Sequence, residues 1–71
     1  NYREPLHSKL SDRELEVLCL IARGKPIKQI AQELNLSIKT ISTYRARIMQ
    51  KMSMKSNAAL IRYALEYGLV Q

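Results

Sequence analysis

The sequence predicts an all-α fold, a four-helix bundle that contains a helix-turn-helix. Three observations predict it. Apolar residues recur at helical spacing in four separate blocks, each block opens on a capping residue or a proline, and no stretch alternates in the strand period. At 71 residues the chain makes one domain, whose small core leaves a monomer of modest stability.

The first nine residues hold Pro5, mixed polar groups and no hydrophobic period, so residues 1–9 read as a linker remnant and 10–71 as the domain. Helix 1 begins at Ser11, which can cap. Glu14 three residues on completes a capping box, and Leu10 can staple to Leu15. Its inner face is expected at Leu15, Leu18, Cys19 and Ala22, widened by Val17 and Ile21, with Gly24 as the left-handed stop. Pro26 suits the first turn of helix 2, whose Ile27, Ile30, Ala31 and Leu34 keep helical spacing.

Asn35 tolerates the left-handed region, Leu36 can tuck under the turn, and Ser37 can cap helix 3, which carries Ile41, Tyr44, Ile48 and Met52 as its apolar stripe and stops near Ser53. Ser56 caps helix 4, which runs to about Tyr67 before Gly68, with Leu69 and Val70 folding back. Ala31 falls where two steeply crossing helices need a small side chain, and Asn35 where the backbone reverses. Each alone is equally well an ordinary helix former or C-cap. Together, and followed by a basic helix, they favour a helix-turn-helix.

Charge points the same way. From Asn1 to Glu33 six basic residues face five acids, whereas from Leu34 to Leu65 there are six basic residues and no acid. A segment of that kind makes a positive field suited to polyphosphate. Charge alone also allows an anionic membrane surface or an acidic protein. At about 100° per residue, the face of helix 3 opposite Ile41, Ile48 and Met52 collects Lys39, Ser42, Thr43, Ala46, Arg47 and Gln50. Small residues let a helix sit deep in a major groove, hydroxyls bond base edges or phosphates, and Arg takes guanine bidentately. The segment from about Ser37 to Ser53 is therefore the expected recognition helix for double-stranded DNA, with Lys39, Thr40, Ser42, Thr43, Tyr44, Ala46, Arg47 and Lys51 as its contacts. Tyr44 is equally well a half-buried core tyrosine. Arg45 projects toward the core side and is expected to snorkel to a phosphate or an acidic partner instead of reading a base.

Several classes are disfavoured. No apolar run approaches the roughly 20 residues of a membrane helix, no secretory signal is evident, and a cytoplasmic protein fits best. The lone Cys19 permits no intramolecular disulfide and reads as a core residue. His7 has no paired nucleophile, so neither catalysis nor a metal or cofactor is expected.

The blocks Leu10-Ser11-x-x-Glu14-x-Glu16-Val17-Leu18, Ile21-Ala22-x-Gly24, Lys28-x-Ile30-Ala31-x-x-Leu34 and Ser37-x-x-Thr40 resemble the LuxR/NarL/FixJ family of bacterial regulators. The resemblance spans about Leu10 to Val70 and includes Gly68-Leu69. It implies a four-helix DNA-binding domain, in many members the output half of a two-component response regulator. An upstream receiver domain and RNA polymerase would then be partners. Ile41-Ser42-Thr43-Tyr44 departs from the common Val-Lys-x-His, and Ser42 and Ala46 stand where relatives contact bases, so readout would lean on Thr43 and van der Waals contact. This variant is similar to the branch that includes the BvgA and EvgA regulators.

In helix 4 only Arg62 and Glu66 are polar between Ala58 and Tyr67, more apolar surface than one buried face requires. Ile61, Ala64 and Leu65 are expected to face the core. Ala59, Arg62, Tyr63, Glu66 and Tyr67 would form a homodimer interface, as the resemblance also implies, and a two-fold dimer calls for inverted-repeat half-sites. Amphipathic tyrosines can also lie exposed. The rival function is a protein-interaction module whose basic helix docks an acidic partner.

Overall fold

A computed structural model describes residues 4–71. They form a 3-10 turn, Leu6–Lys9, and four helices: α1 Asp12–Ala22, α2 Ile27–Leu34, α3 Ile38–Met52 and α4 Asn57–Glu66. No strand occurs among the described residues. The helix α1 is the hub, packing on α4, α3 and α2, while α2 packs on α3.

Local chemistry sets the starts. Ser11 Oγ accepts the Glu14 N–H at 3.2 Å, and Glu14 Oε1 accepts the Ser11 N–H at 2.8 Å, so the expected capping box closes α1. Ser37 and Ser56 cap α3 and α4 through the N–H groups of Thr40 and Ala59. Pro26 lies one residue earlier than expected, as the N-cap of α2 in extended conformation.

All four helices stop in the same way. The residue after each last turn is left-handed: Gly24, Asn35, Ser53 and Gly68. In each case its N–H and the next one turn back onto the carbonyls three and five residues earlier, as in Asn35 to Gln32 and Leu36 to Ala31. This double closure satisfies carbonyls that a helix end otherwise leaves unpaired.

The core joins Val17 and Leu18 of α1, Ile30 of α2, Ile41, Ile48 and Met52 of α3 and Leu60 of α4, all fully buried. Burial of a side chain of this size stabilises by about 1.5–3 kcal/mol. The face of α1 is rotated from expectation. Leu15, Cys19 and Ala22 are only half-buried, whereas Glu14, Val17, Leu18, Leu20 and Ile21 are buried, because α1 is sandwiched between α3 and α4.

Two further expectations are corrected. Residues 6–9 are not a loose segment, although residues 1–3 of that stretch lie outside the described residues. The 3-10 turn packs on α3, and His7 meets α4: Tyr63 Oη accepts the His7 N–H at 3.1 Å and lies 2.7 Å from Nδ1. In α4 the buried stripe is Leu60, Tyr63 and Ala64. Tyr63 is therefore turned inward, its hydroxyl satisfied by His7 and its ring stacked on Tyr67 at 4.3 Å. Leu65, expected in the core, is 53% exposed.

Candidate nucleic-acid interface

The turn between α2 and α3 fixes how α3 is presented. Asn35 reverses the chain at φ 56°, ψ 42°, Leu36 tucks half-buried against the core, and Ser37 opens the next helix two residues later. Ala31, 4% exposed, lies in the second half of α2, the helix that packs on α3. A larger side chain there would hold the two helices apart.

With Ile41, Ile48 and Met52 turned into the core and Tyr44 and Met49 half-buried beside them, the opposite face of α3 is left to solvent. Lys39, Ser42, Thr43, Ala46, Arg47 and Gln50 are all exposed on it. Lys39, Thr40, Thr43, Tyr44 and Arg47 line one open groove of about 260 Å³. The structure thus brings together five of the eight residues expected to contact DNA, with Ser42 and Ala46 exposed on the same helix outside that groove. The ion pairs among the described residues are Arg13–Glu16, Lys25–Glu33 and Lys51–Glu14, which leaves Lys39 and Arg47 without a carboxylate partner there.

Internal hydrogen bonds decide what the hydroxyls can offer. Ser37 Oγ accepts the Thr40 N–H at 3.0 Å and donates to Thr40 Oγ1 at 2.9 Å, so the Thr40 hydroxyl keeps its own hydrogen for an external acceptor. Thr43 Oγ1 donates to the Lys39 carbonyl at 3.0 Å. Its hydrogen is committed, and its methyl and lone pairs remain.

Two basic residues of α3 are turned elsewhere. Lys51, expected on the DNA face, instead places Nζ 2.7 Å from Glu14 Oε1. The reason is the carboxylate: Glu14 is 3% exposed, and a buried anion draws the nearest cation. The Lys51 hydrogen bond, reinforced by the Ser11 N–H, holds the Glu14 carboxyl below its ordinary value against the opposing effect of burial. Arg45 Nε donates to Asn57 Oδ1 at 2.7 Å, tying the middle of α3 to the start of α4.

Sequence reasoning missed Ile38. It stands at the first position of α3, 52% exposed, and borders a second groove of about 480 Å³ with Lys28, Ala31, Gln32, Asn35, Leu36 and Ser37. The available signal was its position, since the first turn of such a helix approaches base edges most closely. Among the described residues no cluster of His, Cys, Asp and Glu could hold a metal ion. Burial pushes the Cys19 thiol up, away from reactivity at neutral pH.

A family model described as bacterial regulatory proteins, luxR family, matches residues 8–64. The chain belongs to the luxR family. It is similar to the oxygen regulatory protein NreC of Staphylococcus carnosus (strain TM300), 48% identical over 61 residues that cover 86% of this chain and 28% of that protein. NreC of Staphylococcus aureus (strain JH9) is 45% identical over 62 residues, covering 87% and 29%. The chain thus spans less than a third of the length of these relatives. Family membership, the helix-turn-helix and the basic face of α3 make this luxR-family chain a DNA-binding domain of a transcription regulator and not an enzyme. No helix among the described residues is long and apolar enough to cross a membrane.

Proposed function

We propose that this luxR-family domain binds a specific duplex by inserting α3 into the major groove. It does so as the effector half of a response regulator whose receiver domain lies upstream and whose output reaches RNA polymerase in the cytoplasm. The observation that carries the seating is the acid-free, exposed face of α3, where Lys39 and Arg47 flank small and hydroxyl side chains. On this reading Lys39, Thr40, Tyr44 and Arg47 supply phosphate contacts and one bidentate base contact, while Ser42, Thr43 and Ala46 face base edges.

The domain binds as a homodimer through α4 to inverted-repeat half-sites. Leu65, 53% exposed on the side of α4 away from its buried stripe of Leu60, Tyr63 and Ala64, supports this, with Arg62 and Glu66 exposed on the same helix, Ala59 half-buried and Tyr67 exposed at its end. Leu65 takes the place in the interface that sequence reasoning gave to Tyr63. Two recognition helices one duplex turn apart, about 34–36 Å, then set the half-site spacing.

Selection of binding sites from random duplexes tests both parts. The expected result is an enriched motif with two-fold symmetry. Lys39→Ala and Arg47→Ala each weaken binding and flatten its salt dependence by up to about 0.9 in log–log slope per phosphate lost. Leu65→Glu costs affinity on the paired site but not on a single half-site. Failure to enrich any sequence, with retention of an acidic protein instead, would favour the rival interaction module.

A further inference from the structure

The ammonium of Lys51 sits at the end of the proposed recognition helix, where a phosphate contact is the obvious assignment, yet the structure pairs it with a carboxylate of α1 while its side chain stays 41% exposed. Glu14 Oε1 accepts both the Lys51 ammonium at 2.7 Å and the Ser11 N–H at 2.8 Å, and the Glu14 side chain is only 4% exposed. Glu14 stands in the first turn of α1 and Lys51 in the last turn of α3, so the pair also joins the positive end of one helix dipole to the negative end of the other. Removing Lys51 leaves the Glu14 carboxylate, 4% exposed, without its cation at the junction of α1 and α3, whereas the Lys51 side chain, 41% exposed, is solvated when Glu14 is removed.

We propose that the Glu14–Lys51 pair is a clamp that sets the seating of α3 on α1, which makes Lys51 a positioning residue for DNA recognition and not a phosphate contact. The proposal rests on α3 being the helix that enters DNA. Lys39 lies twelve residues from Lys51 on the same helix, about 18 Å along its axis at about 1.5 Å per residue. A tilt of about 10° at the clamped end therefore moves Lys39 by about 3 Å, the length of a hydrogen bond. Base readout fails under such a displacement. Phosphate attraction, which is long-ranged and loosely directed, survives it.

The test compares the unaltered chain with Lys51→Met, Lys51→Arg and Glu14→Met on two duplexes of equal length, one enriched by the unaltered chain from a random pool and one scrambled. All are measured well below their melting temperatures over a series of salt concentrations. Lys51→Met is expected to bind the enriched duplex at least about tenfold more weakly, the scrambled one within about twofold, and with an unchanged salt slope. Lys51→Arg, which can still pair with Glu14, restores the preference. Glu14→Met, which removes the Oε1 acceptor, is the sharpest variant, because deleting an acid from a DNA-binding domain should tighten binding on charge alone, whereas loss of the clamp weakens it on the enriched duplex.

Three results overturn the proposal: a Lys51→Met salt slope reduced by about 0.9, the signature of a lost phosphate contact; Glu14→Met binding the enriched duplex as tightly as the unaltered chain or more so; or melting temperatures that fall while the preference stays intact. If the unaltered chain enriches no duplex at all, the DNA reading itself fails, and that result is distinct because it needs none of the variants.

Discussion

Replacing Tyr63 by Phe removes one oxygen atom and asks whether the 3-10 turn before α1 belongs to the folded domain. The hydroxyl accepts the His7 N–H at 3.1 Å and lies 2.7 Å from His7 Nδ1, and the Tyr63 side chain is buried against the core beneath them. With the His7 N–H directed at the oxygen, the phenol can give its own hydrogen to Nδ1 of a neutral imidazole. Phe keeps the ring, its stacking on Tyr67 and its burial, and loses only these two bonds. A typical bond of this kind contributes about 0.5–1.5 kcal/mol net, and half-buried His7 regains some of that from water, so the expected cost is about 1–2 kcal/mol. For a domain of this size that lowers the melting temperature by roughly 4–16 °C. Helical circular dichroism followed through heat and urea reads the loss. The urea slope should stay constant, because the surface exposed on unfolding is nearly unchanged. Hydrogen exchange supplies the local readout: the His7 amide should lose protection while those of Leu18 and Ile30 keep theirs. A Tyr63→Phe domain as stable as the unaltered one, with His7 protection intact, would refute the reasoning.

Other expectations follow from single observations. Ser53 is held left-handed at φ 56° without the freedom of glycine, so Ser53→Gly should raise stability by about 0.5–1 kcal/mol, the relief of strain exceeding the added entropy of the unfolded chain; a lower melting temperature would count against it. Because the folded-state pKa of Glu14 is depressed, its contribution is present above its ordinary value of 4.5 and is lost as pH falls below that through the folded value. An acid titration of stability should therefore fall more steeply for the unaltered chain than for Glu14→Gln, and parallel curves would show the carboxylate contributes nothing. Since the Thr43 hydroxyl hydrogen is bonded to the Lys39 carbonyl, Thr43→Val should bind an enriched duplex within about threefold while Thr43→Ser loses the methyl contact and binds more weakly. The reverse order in a binding titration would show that the hydroxyl reads DNA.

Features set by neighbours in the chain were legible before any coordinates. Ser11 and Glu14 form the capping box because three residues separate them, Asn35 turns the chain because its side chain tolerates the left-handed region, and the outer face of α3 follows from counting around one helix. What sequence could not supply depends on distant partners. The phase of α4 turns on Tyr63 finding His7, 56 residues away, without which a buried phenol would be left unsatisfied. The phase of α1 turns on its being packed from two sides, and the fate of Lys51 on a carboxylate 37 residues earlier that local pattern assigned only to a cap. The LuxR resemblance was legible because its blocks lie in order along one chain, and the family match over residues 8–64 agrees with it.

These rearrangements narrow how the proposed DNA contact could achieve specificity. Lys51 faces Glu14, Arg45 is tied to Asn57, and the Thr43 hydrogen is held by the backbone, so Arg47 is the one arginine left on the outer face of α3. A good bidentate contact discriminates by about 1–3 kcal/mol, and the rest of the face offers a lysine, small side chains, a threonine methyl and the exposed Ile38. Apolar groups of this kind favour thymine methyls, each with modest discrimination. A single α3 would then separate its site from random sequence only weakly, short of the usual 10³–10⁷ margin of specific binders. Joining two half-sites through α4, as proposed above, would square that margin without any new base contact. On this reasoning the exposed Leu65 would matter to sequence recognition as much as the recognition helix does.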